Sequence, residues 1–294
     1  MAIHEIETFY DKLKAHLSDI QFSSNIITTA YDVTEETVRI LKKVQITSMQ
    51  ITIDGMKETH NKIKRIDGVD VFEQIMKNIE LLNDEYPELH IVLRVNLTKA
   101  NALEYPKLVD SIFERFKGRK NINPAPAFIL EKDIHICNEC NTGLFNHKER
   151  SAFILDLYHH GYDSPYARYP NKVMAECAIR NDLAVAFDPR GYVYKCWEVI
   201  GDESYAIGKI GDDGRIVEFN QLVYNRQMYG ADPLEDPVCR KCRYLPICNG
   251  GCPIHRIQNK FEKCRNNYCS HYKGYLEEFL KIHIARSKRD RSDK

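Results

Sequence analysis

Four cysteines stand within fourteen residues in "CRKCRYLPICNGGC", Cys239 to Cys252, and thiolates at such spacing are suited above all to holding a soft metal centre. Two residues separate Cys239 from Cys242, five separate Cys242 from Cys248, and three separate Cys248 from Cys252. Upstream, Cys177 is followed after thirteen residues by Gly191 and after four more by Cys196; downstream lie Cys264 and Cys269. A single tetrahedral zinc would be satisfied by Cys239, Cys242, Cys248 and Cys252 as a compact knuckle. That leaves Cys177, Cys196 and Cys269 unexplained. Seven thiolates are better suited to two centres, and iron–sulfur cubanes accept such ligands as well as zinc does. Spacing alone does not choose the metal.

The compartment bears on the same question. The N-terminal "MAIHEIETFYDKLKAHLSD" has no apolar core followed by a small-residue cleavage site, and no apolar run approaches the ~18 residues of a membrane span. Without export, the ten cysteines are expected to stay reduced in the cytoplasm, so metal binding is a better reading of their clustering than a disulfide framework. Lys+Arg and Asp+Glu both total 42, and nothing in that balance points to nucleic acid or to a membrane surface as partner.

The elements that must position these residues fall into two stretches. In the first 130 residues short β-rich runs alternate with helical patterns. "IQFSSNII" precedes "TEETVRILKKV", whose Val38, Leu41 and Val44 follow the cap-like Thr34; "SMQITIDG" is a strand ending in a turn signal. "DVFEQIMKNIELLNDEYPEL" carries Phe72, Ile75, Ile79 and Leu82 on one helical face, and the strand "HIVLRVNLT", the helix "EYPKLVDSIFERF" and the strand "NPAPAFIL" complete the series. This alternation predicts βαβ units with parallel strands. A closed barrel of eight strands needs about 250 residues, so the sheet is either open or part of a barrel.

After Leu130 the sequence turns polar and rich in Cys, Tyr and His. The expected organisation is an α/β unit over residues 1–130, a linker region over 131–170, a small Cys-rich α+β domain over 171–284 and a disordered tail over 285–294.

The seven-cysteine pattern, C-x(9 to 15)-G-x4-C followed by C-x2-C-x5-C-x3-C and a last Cys, resembles the SPASM domain, the auxiliary-cluster domain at the C-terminus of many radical SAM enzymes. "FDPRGYVYKCWE" looks like that family's hairpin and "NYCSHYK" like its closing segment. The resemblance implies two [4Fe-4S] auxiliary clusters, the first held by Cys177, Cys196 and Cys252 and the second by Cys239, Cys242, Cys248 and Cys269. The fourth position of the first is open to substrate or filled by another residue. Cys264, Cys137 and Cys140 are candidates, although a small buried hydrophobe is the commoner role of such a cysteine. In "CNGGC" the glycines either let backbone amides approach the cluster sulfurs or simply make a tight turn.

The N-terminal stretch resembles the later βα units of the radical SAM partial barrel: an S-T-N-G-type strand end, a helix, an S-I-D-G strand end and an H-x3-R-type turn. By this reading Ile26 replaces the glycine of the first motif and Thr52 the serine of the second, while Asp54 and Gly55 are retained. The resemblance implies that Ser24, Asn25, Thr52, Asp54 and Asn96 lie at the C-terminal ends of strands and contact S-adenosylmethionine. For each of them alone, a loop-capping polar residue is the plain alternative.

One departure dominates. The C-x3-C-x2-C motif of the catalytic cluster is absent: Cys248 and Cys252 have its first spacing, but His255 stands where the third cysteine would be. The chain is therefore expected to be a truncated relative or a fragment that does not itself cleave S-adenosylmethionine. That cofactor and a third [4Fe-4S] cluster are expected only in an intact enzyme. The implied function is that of a radical SAM oxidoreductase or peptide and protein maturase, either sulfatase-maturase-like or cross-linking. Its partners would be a peptide or protein substrate and a reductant such as flavodoxin or ferredoxin. Two readings of other classes stand beside it: a catalytically silent electron-transfer or peptide-binding module, and a zinc-binding interaction domain. His147, His159 and His160 read as surface histidines, and Tyr158, Tyr162, Tyr166 and Tyr169 as packing or the lining of a cleft.

Overall fold

A computed structural model describes residues 2–19, 21–129, 143–162, 164, 167 and 177–292, and the chain divides into two compact units, Met1–Ile129 and Leu130–Lys294. Cys137, Cys140, Tyr166 and Tyr169 lie outside the described residues.

The first unit runs α1 (Ile3–His16), β1 (Ser24–Thr28), α2 (Glu35–Lys43), β2 (Ile46–Ile53), α3 (Lys57–Ile63), α4 (Val71–Glu85), β3 (His90–Leu97), α5 (Tyr105–Arg115) and β4 (Ile122–Phe128). The strands form one sheet in the order β1-β2-β3-β4, every pair parallel. Helix α2 starts where Thr34 and Thr37 close a reciprocal capping box, and α4 where the Asp70 side chain accepts the Glu73 N–H at 3.1 Å.

A parallel sheet covered on both faces reads as continuous apolar runs, whereas these strands alternate. Met49, Ile51 and Ile53 of β2 and Ile91, Leu93, Val95 and Leu97 of β3 are buried. They share that core with Ile40 and Leu41 of α2, Ile75, Ile79 and Leu82 of α4 and Leu108 and Ile112 of α5. The other face carries Gln50 and Thr52 beside Val92, Arg94 and Asn96, half-buried or exposed within this unit, and Ile27 in register with Gln50 is exposed. The sheet thus has one packed face and one polar, accessible face.

The second unit contains α6 (His147–His159), β5 (Ala186–Phe187), β6 (Tyr192–Tyr194), β7 (Gly208–Ile210), β8 (Ile216–Val217), α7 (Gln221–Tyr229), α8 (Pro237–Arg240), α9 (Leu245–Cys248), α10 (Pro253–Phe261) and α11 (Leu276–Ser292). The four short strands pair antiparallel in sequence order. In the β5–β6 turn Asp188 accepts the N–H groups of Arg190 and Tyr192, each at 2.9 Å, and Gly191 takes a left-handed φ of 85°. Ile179, Tyr194, Val199, Ala206, Ala231, Ile254 and Ile257 form the core, and Cys196 and Cys252 pack against it.

Two stretches differ from expectation. Within the anticipated linker, Asn146 opens α6 with a capping box to Glu149. The anticipated tail from residue 285 continues α11 as far as Ser292; the helix is anchored by buried Phe279 and Ile282 and helped by the Glu277–Lys281 pair at 2.9 Å. Among the described residues no helix is long and apolar enough to cross a membrane.

Because Leu93 is wholly buried in β3, Leu93→Ala is expected to cost about 2–5 kcal/mol, read as an earlier unfolding midpoint in urea with the far-UV spectrum of the native protein retained.

Candidate metal centres and the C-terminal edge of the sheet

Cys239, Cys242, Cys248 and Cys269 line one cavity of about 430 Å³. Each is placed by a local device. Asp236 caps α8 by accepting the Val238 and Cys239 N–H groups at 2.8 and 3.3 Å, which directs Cys239 and, one turn on, Cys242. Helix α9 ends in Cys248, and the chain then passes through three successive left-handed residues, Asn249, Gly250 and Gly251, at φ 49°, 81° and 75°. A Cβ on Gly251 would collide with the carbonyl oxygen of Tyr268, the neighbour of Cys269, and one on Gly250 would come within 2.6 Å of Pro233. The glycines therefore serve close backbone approach, and they bring the Cys248 segment against the Cys269 segment. The Gly251 N–H is spent on the Cys248 carbonyl at 3.0 Å.

Two cations serve this cavity. Arg256 on α10, only 7% exposed, sends Nη1 to Cys239 Sγ at 3.2 Å, and Lys273 Nζ lies 3.3 Å from Cys269 Sγ. Burial raises the Cys239 thiol even against the opposing pull of Arg256. The Cys269 sulfur, in turn, raises Lys273.

Cys177, Cys196 and Cys252 form a second neighbourhood. Burial, and after it the thiols of Cys252 and Cys177, push Cys196 up to about 11 against a hydrogen bond from the Glu198 N–H. Burial also raises Cys252, whose sulfur sits at the start of α10 and accepts the His255 and Ile254 N–H groups. Cys177 is exposed, and the Cys264 sulfur contacts the Glu262 carbonyl at 4.0 Å. All eight described cysteines are unbridged, and among the described residues no three His, Cys, Asp or Glu side chains converge as ligands of a single metal ion would.

At the other candidate site, Asp54 follows the last residue of β2, and Asn96 follows Val95, the β3 partner of that last residue. Asn96 Nδ2 donates to Asp54 Oδ1 at 3.0 Å, and Asn101 ties the two strand ends together by donating to the Asp54 and Asn96 carbonyls at 2.7 and 2.9 Å. Asp54 is 5% exposed and its Oδ2 has no hydrogen-bond partner, with Lys64 Nζ at 3.9 Å. Thr52, half-buried, lies two residues before it on the accessible face.

Ser24 and Asn25 are elsewhere. They begin β1, pairing with Ile46 and Ser48 near the start of β2, so they occupy the opposite, N-terminal edge of the sheet. The strand runs on to Thr28, and the residue needing a left-handed conformation at its C-terminal end is Ala30, at φ 55°, not Ile26. Ala30 is buried, its carbonyl and that of Tyr31 receiving Asn78 Nδ2 at 2.8 and 2.6 Å. An alanine in place of the expected glycine hides that turn from sequence reading.

His60, Asn101 and Glu104 escaped sequence reading as parts of this edge. Fully buried His60 accepts the Asp54 N–H at Nδ1, at 3.1 Å, which leaves its proton on Nε2. Glu104 accepts Met56 N–H and Thr59 Oγ1 at 3.1 and 2.8 Å, and it closes over Gly55, where a Cβ would meet Thr59 and Glu104 at about 3 Å. Only the H-x3-R-type turn, His60 to Lys64, signals any of this in sequence.

Burial holds His60 below the usual histidine range, with Lys64 adding to the effect and Asp54 opposing it. The folded state then binds fewer protons than the unfolded chain below the unfolded pKa of about 6.5. Stability is accordingly complete above that pH and falls as the pH drops through and below it, at up to about 1.4 kcal/mol per pH unit. Urea unfolding between pH 5 and 8 is expected to show this slope, reduced in His60→Gln. Separately, Gly251→Ala is expected to lower the urea midpoint much further than Gly214→Ala, which at a similar φ of 76° but with nothing within 4 Å should bear only backbone strain of about 1–2 kcal/mol.

No protein-family model matches the chain. It is 25% identical over 247 residues to the cysteine-type anaerobic sulfatase-maturating enzyme of Clostridium novyi (strain NT), covering 78% of this chain and 63% of that protein. To the enzyme of the same name in Clostridium perfringens (strain ATCC 13124) it is 23% identical over 252 residues, covering 77% and 64%. The chain thus spans less than two thirds of the length of these curated relatives. In fold it is similar to native anSMEcpe with bound AdoMet, at a TM-score of 0.64 and 18% identity over 95% of this chain and 78% of that one. It is also similar to native anSMEcpe with bound AdoMet and Cp18Cys peptide, at 0.59 and 17% over 97% and 82%. The cysteine spacing, the parallel sheet and these likenesses agree, and the chain is a homologue of the anaerobic sulfatase-maturating enzymes, radical SAM proteins with a SPASM domain.

Proposed function

We propose that this chain is the later barrel portion and the auxiliary-cluster domain of a radical SAM maturase that oxidises a peptide or protein substrate in the reducing cytoplasm. Residues 1–130 would form part of the partial barrel and 171–284 the SPASM domain. The observation that carries the reading is the single cavity lined by Cys239, Cys242, Cys248 and Cys269, with a guanidinium and an ammonium directed at two of its sulfurs. Burial disfavours a bare Cys239 thiolate, which suits a site in which a metal cation replaces its proton. Thiols spread around a cavity, no three of them converging among the described residues, suit the broad body of a cubane better than one small zinc ion.

In this reading Cys239, Cys242, Cys248 and Cys269 hold one [4Fe-4S] cluster, and Cys177, Cys196 and Cys252 hold another. A bound cluster supplies a one-electron store. The residues of the chain do the rest. Asp54 Oδ2, buried and without a hydrogen-bond partner, would accept a hydrogen bond from a sugar hydroxyl of S-adenosylmethionine; Asn96 and Asn101 keep the carboxylate and its backbone in place, and Thr52 borders the accessible face. The similar solved structures hold AdoMet and, in one, the Cp18Cys peptide, which favours a peptidyl substrate here. Since the sequence holds no C-x3-C-x2-C, its part is cofactor positioning and electron handling, and reductive cleavage needs that motif from outside these 294 residues.

The test is iron and acid-labile sulfide per chain after anaerobic reconstitution, with zinc counted alongside. About eight irons with equal sulfide are expected for two cubanes. One or two zincs without sulfide would return the cysteines to a structural knuckle and overturn the reading.

A further inference from the structure

Arg256 is buried with its guanidinium fully committed. Its Nε donates to the Ala231 carbonyl at 3.1 Å, Nη1 to Cys239 Sγ at 3.2 Å and to the Gly250 carbonyl at 3.4 Å, and Nη2 to the Asp232 carbonyl and Asp236 Oδ2, both at 3.4 Å. A guanidinium has five N–H bonds, and here five acceptors surround it, one of them a cysteine sulfur. The Tyr268 ring lies against it at 4.7 Å, so the charge is fixed in place. Lys273 brings a second cation to the other side of the cysteine set, at Cys269. Among the described residues one carboxylate touches Arg256: Asp236, which also opposes negative charge on Cys239 and is itself engaged by two N–H groups and by the Tyr268 hydroxyl at 2.9 Å.

Cys196 and Cys252 have a different environment. The sulfurs of Cys196 and Cys252 accept backbone N–H groups, and the Glu198 carboxylate stands near enough to both to oppose negative charge on them.

A cubane with four thiolate ligands is a dianion when oxidised and a trianion when reduced by one electron, so a fixed neighbouring cation favours the reduced form and a neighbouring carboxylate disfavours it. Building on the cluster assignment above, we propose that Arg256 and Lys273 are positioning residues that raise the reduction potential of the centre held by Cys239, Cys242, Cys248 and Cys269.

The test is an EPR-monitored potentiometric titration of the whole reconstituted chain, the two signals being assigned by the one that Cys196→Ser removes. The signal that survives Cys196→Ser belongs to the centre beside Arg256 and Lys273. Lys273→Met, with iron and sulfide unchanged, is expected to shift that couple about tenfold toward the oxidised form, which is 59 mV for one electron, while Lys273→Arg keeps the original value. Arg256→Met is expected to shift it the same way where the variant retains iron, and Lys273→Met decides the matter if it does not. The other centre serves as internal control in each titration. Full iron content with an unmoved potential in Lys273→Met would overturn the inference while leaving the cluster assignment intact. An unsubstituted chain that takes up no iron would instead overturn the cluster assignment, and this inference with it.

Discussion

The second unit depends on a place where two backbones come too close for a side chain. Residue 251 must be glycine because the Tyr268 carbonyl occupies the space of a Cβ, and residue 250 must be glycine because Pro233 does the same from the other side. Through these contacts the segment bearing Cys248 and Cys252 is pinned to the segment bearing Cys269, which is far away in sequence. Close approach of this kind is available only to glycine, and the left-handed φ of all three residues from Asn249 to Gly251 follows from the same compression of the turn.

On that frame the electrostatics become consistent. Burying several sulfurs costs free energy if they are charged, and the elevated Cys196, Cys239 and Cys252 thiols express that cost. Arg256 offsets part of it at Cys239, but it can do so only because Ala231, Asp232, Gly250 and Asp236 accept its remaining N–H bonds; a buried guanidinium with unmet donors would itself be destabilising. Asp236 links the two roles. It starts α8, which carries Cys239, and it meets both Arg256 and Tyr268.

In the first unit the governing feature is the difference between the faces of a parallel sheet. The packed face is held by helices on buried Ile, Leu, Val and Met, while the accessible face presents Gln50, Thr52, Arg94 and Asn96. At its C-terminal edge a small polar network ties Asp54, Asn96, Asn101 and His60 together and leaves one carboxylate oxygen without a hydrogen bond. Buried polar atoms are normally hydrogen-bonded, so an orphan at the edge where parallel α/β folds bind ligands is the natural place for one.

Much of this was legible in the sequence, and what was not has a common cause. The βαβ alternation, the Thr34 cap and the strand ending at Asp54 rest on local periodicity and capping chemistry, which act over a few residues. The seven-cysteine pattern was equally plain, because ligand spacing is a property of the chain itself. The misplacement of Ser24 and Asn25 came from reading a strand end by motif: with Ala30 instead of glycine in the left-handed turn, the sequence carried no mark of where β1 stops. His60 under Asp54, Asn101 bridging two strands and Arg256 directed at Cys239 were likewise invisible. Each joins segments separated by several to many residues, and such pairings arise only when packing brings distant backbone together. By itself the sequence determined the elements and the cysteine spacing; the tertiary structure alone decided which thiols share a cavity, which charges stand beside them and which carboxylate oxygen is left without a hydrogen bond, because those depend on distances that no local rule encodes.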